Sequence, residues 1–305
     1  MAEDEILLTG ATGLIGREVL SLLLKNDFKV CAIEHTQKIT PQNNLEIAHV
    51  NLLDKNAVKR FFENKKFKNL IHLAWYGDKK VHSHNINVDW VEASLNLVQN
   101  FMQKGGKKIL VAGSISEYDF SYGYFTENIT PLNNKSLYGK SKAALHNILE
   151  TYCANNDIEF KWARIFNLYG KYERPDRLIS YVINAMINNE DVKVSTCEKF
   201  QDYLYAQDVA SAILTLYESS IQGAVNICSG KPVQLRYIVN KIAELTDFKG
   251  NILWGAIPAA FGDELVVGNN EKLKSIGWQP KYSLEEGLLQ TINWWKQHNK
   301  EIVNV

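Results

Sequence analysis

Neither charge is in surplus in this chain: 34 basic and 34 acidic residues cancel over 305 positions, so no basic face points to nucleic acid. The four cysteines, at positions 31, 153, 197 and 228, form no C-x-x-C pair and read as reduced packing residues rather than a disulfide framework. His82 and His84 have no third ligand near them, so no metal is expected. No apolar run reaches the ~18 residues that a membrane helix needs. The acidic opening Met1-Ala2-Glu3-Asp4-Glu5 lacks the basic and apolar regions of a leader. Internal repeats, low-complexity tracts and proline-rich linkers are also missing. The expectation is a cytoplasmic enzyme with no nucleic-acid partner and no membrane anchor, and 46% hydrophobic residues are ample for its core.

What is there begins with Tyr138 and Lys142, four apart in Leu137-Tyr138-Gly139-Lys140-Ser141-Lys142 and therefore on one face of a helix. A free phenol titrates near pH ~10, but a cation held against it stabilises the phenolate and lowers that value toward the working range. At the N-terminus, the apolar run Ile6-Leu7-Leu8 enters Thr9-Gly10-Ala11-Thr12-Gly13-Leu14-Ile15-Gly16 and continues as an amphipathic segment. That pattern predicts a strand, a glycine turn and a helix whose first N–H groups face an anion such as a pyrophosphate. A second strand, 29–33, ends at Glu34, eighteen residues after Gly16, where a dinucleotide-binding unit places the carboxylate for the ribose hydroxyls.

Strand-like runs recur at 6–9, 29–33, 47–50, 69–73, 108–113 and 160–165, with helical-period segments at 14–25, 54–63, 85–104 and 136–155. This alternation predicts an α/β fold with a Rossmann-type doubly wound parallel sheet. After about residue 170 the pattern is less regular, with helices expected near 176–189, 233–247 and 283–298. The reading is a cofactor-binding domain over 1–170 and a smaller C-terminal α/β substrate-binding region over 171–305, interleaved with the first.

Thr9 to Gly16, Ile71-His72-Leu73-Ala74, Ser114 and the Tyr138/Lys142 pair occur in the order and spacing of the extended short-chain dehydrogenase/reductases, and the whole chain resembles their nucleotide-sugar epimerase/dehydratase branch. The likeness extends through Arg164 to Gly170, Asp202 to Ala210 and Lys272 to Pro280. It implies a catalytic set of Ser114, Tyr138 and Lys142, the lysine lowering the tyrosine pKa while holding the nicotinamide ribose. It implies NAD as cofactor, with NADP left open, held by Gly10, Thr12, Gly13, Leu14, Ile15, Gly16, Glu34, His35, Asn51, Leu52, Leu73, Ala74, Tyr138 and Lys142. Ser114, Ser116, Asn167, Arg177 and Gln201 are the implied substrate contacts, and a homodimer through helices near 85–104 and 136–155 is the implied assembly.

Dehydrating members of the family carry an Asp-Glu pair directly after the strand-end hydroxyl, whereas here Ile115 and Ser116 follow Ser114. Elimination needs a positioned acid and base, so a dehydratase is disfavoured; Glu117 is one position late and would face away in an extended segment. The reading preferred is a reductase of a nucleotide-linked 4-keto-6-deoxyhexose. An NAD-dependent nucleotide-sugar 4-epimerase, a reductase of a small carbonyl compound and a non-catalytic NAD-binding relative are the alternatives. One departure bears on the substrate: the arginines that usually grip the diphosphate are replaced by Gln201 and by apolar residues near Ala260 and Phe261. Lys171, Arg174, Arg177 and Lys199 are candidate substitutes, Arg177 foremost.

Overall fold

A computed structural model describes residues 5–259 and 264–302, with side chains through His298. The order along the chain is β1 (Ile6–Thr9), α1 (Leu14–Lys25), β2 (Val30–Glu34), β3 (Leu45–His49), α2 (Lys55–Glu63), β4 (Asn69–His72), α3 (Ile86–Gln103), β5 (Lys108–Ser114), β6 (Tyr124–Phe125), α4 (Leu137–Ala154) and β7 (Glu159–Ile165). There follow β8 (Asn167–Tyr169), α5 (Leu178–Ile187), β9 (Val192–Val194), β10 (Phe200–Tyr205), α6 (Ala206–Glu218), β11 (Gly223–Ile227) and β12 (Pro232–Gln234). The last elements are α7 (Leu235–Thr246), β13 (Ile252–Trp254), β14 (Leu265–Gly268), α8 (Glu271–Ser275) and α9 (Leu284–Ile302).

Seven strands pair in the order β11-β7-β5-β4-β1-β2-β3, and every pairing is parallel. Apart from the edge strand β3, whose residues are only partly covered, their apolar runs are buried on both faces, as a helix-covered parallel sheet requires. Ile6, Leu8, Val30, Ala32 and Ile71 pack toward α1 and α6, while Leu7, Cys31, Ile33, Leu70 and Val111 pack toward α2, α3 and α4. Strand order reverses between β1 and β4, so their C-terminal ends, Thr9 and His72, flank the crevice where this topology leaves room for a ligand.

The later part of the chain contributes to both layers. Strand β11 closes one edge of the large sheet and α6 lies against α1. A second sheet, β12-β10-β14-β6 with β8 beside β10, joins it to a further core built from α5, α7 and α9 around Val182, Ile183, Ile238, Leu288 and Trp295. Two buried carboxylates fasten these parts. Asp202 accepts from the Ser229, Gly230 and Gly268 backbone N–H groups, and Asp208 accepts from those of Lys281 and Tyr282.

Candidate active site

The glycine turn between β1 and α1 divides its labour. Gly10 has φ +74°, and a Cβ there would lie 2.7 Å from the Ala74 nitrogen; a Cβ on Gly16 would lie 1.9 Å from the Gly10 carbonyl oxygen. Both glycines therefore serve close backbone packing. Gly13 differs: it is exposed, and a Cβ there would meet only the Gly10 oxygen, at 3.4 Å. It caps α1 with no side-chain hydrogen bond, and the first turn of the helix holds no acid. Open backbone N–H groups and a helix dipole at that point suit a pyrophosphate, so the residues present fit a dinucleotide.

Glu34 ends β2 next to this turn. Its carboxylate accepts from Lys38 Nζ and the Ile39 N–H, each at 2.8 Å, and the lysine, followed by the backbone bond, holds it below the usual carboxylate range. It is ionised, with further lone pairs available to hydroxyl donors. His35 is exposed and stacks near His49, the Asn51 side chain caps the Leu53 N–H, and Leu52 is 7% exposed and belongs to the core. Leu73 and Ala74 follow β4 against Gly10, where Thr9 Oγ1 lies 2.7 Å from His72 Nδ1.

A cleft of about 350 Å³ opens beside the turn and contains Leu14, Ile15, Leu73, Ser114, Tyr138 and Lys142. Helix α4 reaches it because Ser136 caps the Gly139 N–H and because Gly139, where a Cβ would sit 1.8 Å from the Ser116 oxygen, lets the helix close on the turn after β5. Tyr138 and Ser114 then line the same cleft. Desolvation pushes the phenol up to about 12, against the lowering effects of Ser114 and then Arg177. Burial lowers Lys142 to about 7, and its ammonium donates to the Ala112 carbonyl at 2.8 Å and sits 3.7 Å from the Trp75 ring centre.

The segment after Ser114 is not extended. Residues Ile115–Glu117 form a single 3₁₀ turn that swings Glu117 into the core, where it accepts from the Ser114 N–H (2.7 Å), Trp162 Nε1 (2.9 Å) and Arg164 Nε (2.7 Å). Glu117 is fully buried and paired, and it does not line the cleft.

Ser116, Asn167 and Arg177 also line the cleft; Gln201 does not, but its side-chain oxygen accepts from Asn167 Nδ2 at 3.0 Å. The same wall holds Glu173, Arg174, His82 and Trp75, which no sequence motif had singled out for a role in the site, although Arg174 was a candidate cation. Glu173 is 8% exposed, accepts from the Ser180 hydroxyl at 2.8 Å, and is pushed up to about 7 by burial. Arg174 bonds Asp176 and the Gly77 carbonyl. Arg177, just ahead of α5, stands 3.8 Å from Glu173 and is 49% exposed. Ala260 and Phe261 lie outside the described residues.

A model of the NAD dependent epimerase/dehydratase family matches residues 6–228. Among curated proteins, the chain is 25% identical over 299 residues to a CDP-abequose synthase of Salmonella muenchen, covering 95% of this chain and 97% of that protein. It is 26% identical to a dTDP-6-deoxy-L-talose 4-dehydrogenase (NAD(+)) of Aggregatibacter actinomycetemcomitans, covering 86% and 98% respectively. The fold is similar to that of a UDP-glucose 4-epimerase of Thermus thermophilus in complex with NAD, with a TM-score of 0.86, 24% identity, and 96% and 99% of the two chains covered.

Proposed function

Because the chain belongs to the NAD dependent epimerase/dehydratase family, we propose that it reduces a nucleotide-linked 4-keto-6-deoxyhexose at C4. The supporting observation is the cleft itself: Ser114, Tyr138 and Lys142 line it together, while the positions a dehydratase fills with acids are Ile115 and Ser116 and the nearby Glu117 is bound to Arg164. Tyr138 is protonated at neutral pH and so carries the proton that reduction of a ketone requires. Relatives named for CDP- and dTDP-linked sugars, one of them a 4-dehydrogenase, agree with that substrate class.

In this reading the Gly13 turn and Glu34 would hold the dinucleotide, which would supply the hydride. Ser114 orients the C4 oxygen, Tyr138 delivers the proton to it, and Lys142 provides positive charge beside the phenol. Asn167 contacts the sugar side, and Arg177 takes over from the absent arginines at the diphosphate. Residues 1–170 serve mainly the cofactor and 171–305 mainly the substrate. Two copies pair through α3 and α4, where Val88 (57% exposed) and Ile148 (46%) face solvent.

The test is turnover with NADH or NADPH and nucleotide-linked 4-keto sugars, followed by loss of reduced-cofactor absorbance. Tyr138→Phe should lower the rate by about 10²–10⁴-fold and leave cofactor affinity unchanged. Native turnover in that variant would remove Tyr138 from the chemistry. Interconversion of 4-hydroxy sugars with no net change in cofactor would move the assignment to a 4-epimerase.

A further inference from the structure

Among the described residues, Lys142 is a cation buried without a carboxylate of its own. It is 3% exposed, and Glu117, the one acid that raises its pKa, is bound to Arg164. Among the described residues, the other titratable groups beside it are uncharged: His72, pushed down to about 3 by burial and then by Lys142, and Tyr138, which shares the cleft and is held as the phenol. Burial of an ammonium under these conditions favours the neutral amine.

The nearest compensating contact is the face of Trp75, its ring centre 3.7 Å from Nζ, with the Trp162 ring centre farther off at 6.0 Å. The Trp75 indole is fixed in place. Its Nε1 donates to Asn87 Oδ1 at 2.9 Å, and Asn87 is fully buried with both amide hydrogens given to the Val81 and His84 carbonyls at 2.6 and 2.8 Å. Trp90, with its ring centre 6.0 Å from that of Trp75, packs against it. An ammonium has three N–H donors. One goes to the Ala112 carbonyl and one side rests on the indole, which leaves a single donor for the cleft.

We infer that Trp75, aimed by Asn87, is a positioning residue that keeps Lys142 cationic and directs its one remaining N–H into the cleft. The inference rests on the reading of Lys142 as the cation of the active site. A desolvated ammonium over an indole is among the stronger cation–π arrangements, so its removal should lower the lysine pKa by about one unit.

The experiment follows the ¹³Cε resonance of Lys142 across pH in lysine-labelled protein without cofactor or substrate, the peak being assigned by its loss in Lys142→Met. Trp75→Leu should titrate about one unit below the native protein, with Trp75→Phe in between because it keeps an aromatic face. The alkaline limb of the pH–rate profile should move with it. Equal midpoints in all three proteins would overturn the inference, whatever happens to activity. Since this titration needs no substrate, a wrong substrate would leave its result intact.

Discussion

Replacing two glycines of one turn by alanine should separate folding from cofactor binding. At Gly16 the new Cβ would stand 1.9 Å from the Gly10 oxygen and 2.7 Å from its carbonyl carbon, both backbone atoms that no rotamer change can move aside. The β1–α1 turn must then shift, and overpacking of this kind costs roughly 1–3 kcal/mol or more. At roughly 2–3 °C per kcal/mol for a chain of this size, about 3 kcal/mol lowers Tm by on the order of 6–9 °C. At Gly13 the backbone sits at φ −76°, ψ 171°, open to any residue, and the Cβ makes one ordinary contact at 3.4 Å. The gain of about 0.4–1 kcal/mol from a stiffer unfolded chain is offset by a poorer helix cap, leaving stability within about 0.5 kcal/mol of native. The methyl group instead occupies the approach to the N–H groups of α1. Losing one charge-assisted hydrogen bond there, about 1.5–3 kcal/mol, weakens the dinucleotide by roughly 10–100-fold. Thermal melts and calorimetric NAD titrations of both variants give the answer. Native NAD affinity in Gly13→Ala would refute the placement of the pyrophosphate, and a native melt of Gly16→Ala would refute the packing argument.

Two further predictions concern buried carboxyls. Glu173 is raised from 4.5 to about 7, so the stability it contributes is complete below pH 4.5 and is lost as pH rises through 7. Glu173→Gln should therefore flatten the fall in stability between pH 5 and pH 8 by on the order of 2–3 kcal/mol, read from denaturant melts at the two pH values; an unchanged slope would mean that Glu173 is ionised in the folded protein. Glu117→Ala leaves Arg164 buried and unpaired and should cost about 3–5 kcal/mol in urea unfolding. Native stability with abolished turnover would instead make Glu117 a chemical group.

Local pattern carried most of the large sheet. Helices read at 14–25, 54–63, 85–104 and 136–155 are found at Leu14–Lys25, Lys55–Glu63, Ile86–Gln103 and Leu137–Ala154, because a strand buried on both faces and a helix buried on one write different periods into the chain. The irregular region after residue 170 was less legible. Its short strands β8, β9, β12 and β13 have three residues each, too few to show a period. The site divided in the same way: Ser114, Tyr138 and Lys142 stood out by spacing, whereas Glu173 and Trp75 belong to no recognisable pattern and reach the cleft only through the fold.

The sequence by itself determined that a glycine turn follows the first strand and that a tyrosine and a lysine share a helix face, since both depend on backbone geometry within a few residues. Tertiary structure decided what those groups are. Lys142 rests on Trp75 and the Ala112 carbonyl; Glu117 turns inward to Arg164; Asn167 is bonded to Gln201. Each outcome depends on partners 30 or more positions away, and on the exclusion of water that arises only when sheet and helices close around them.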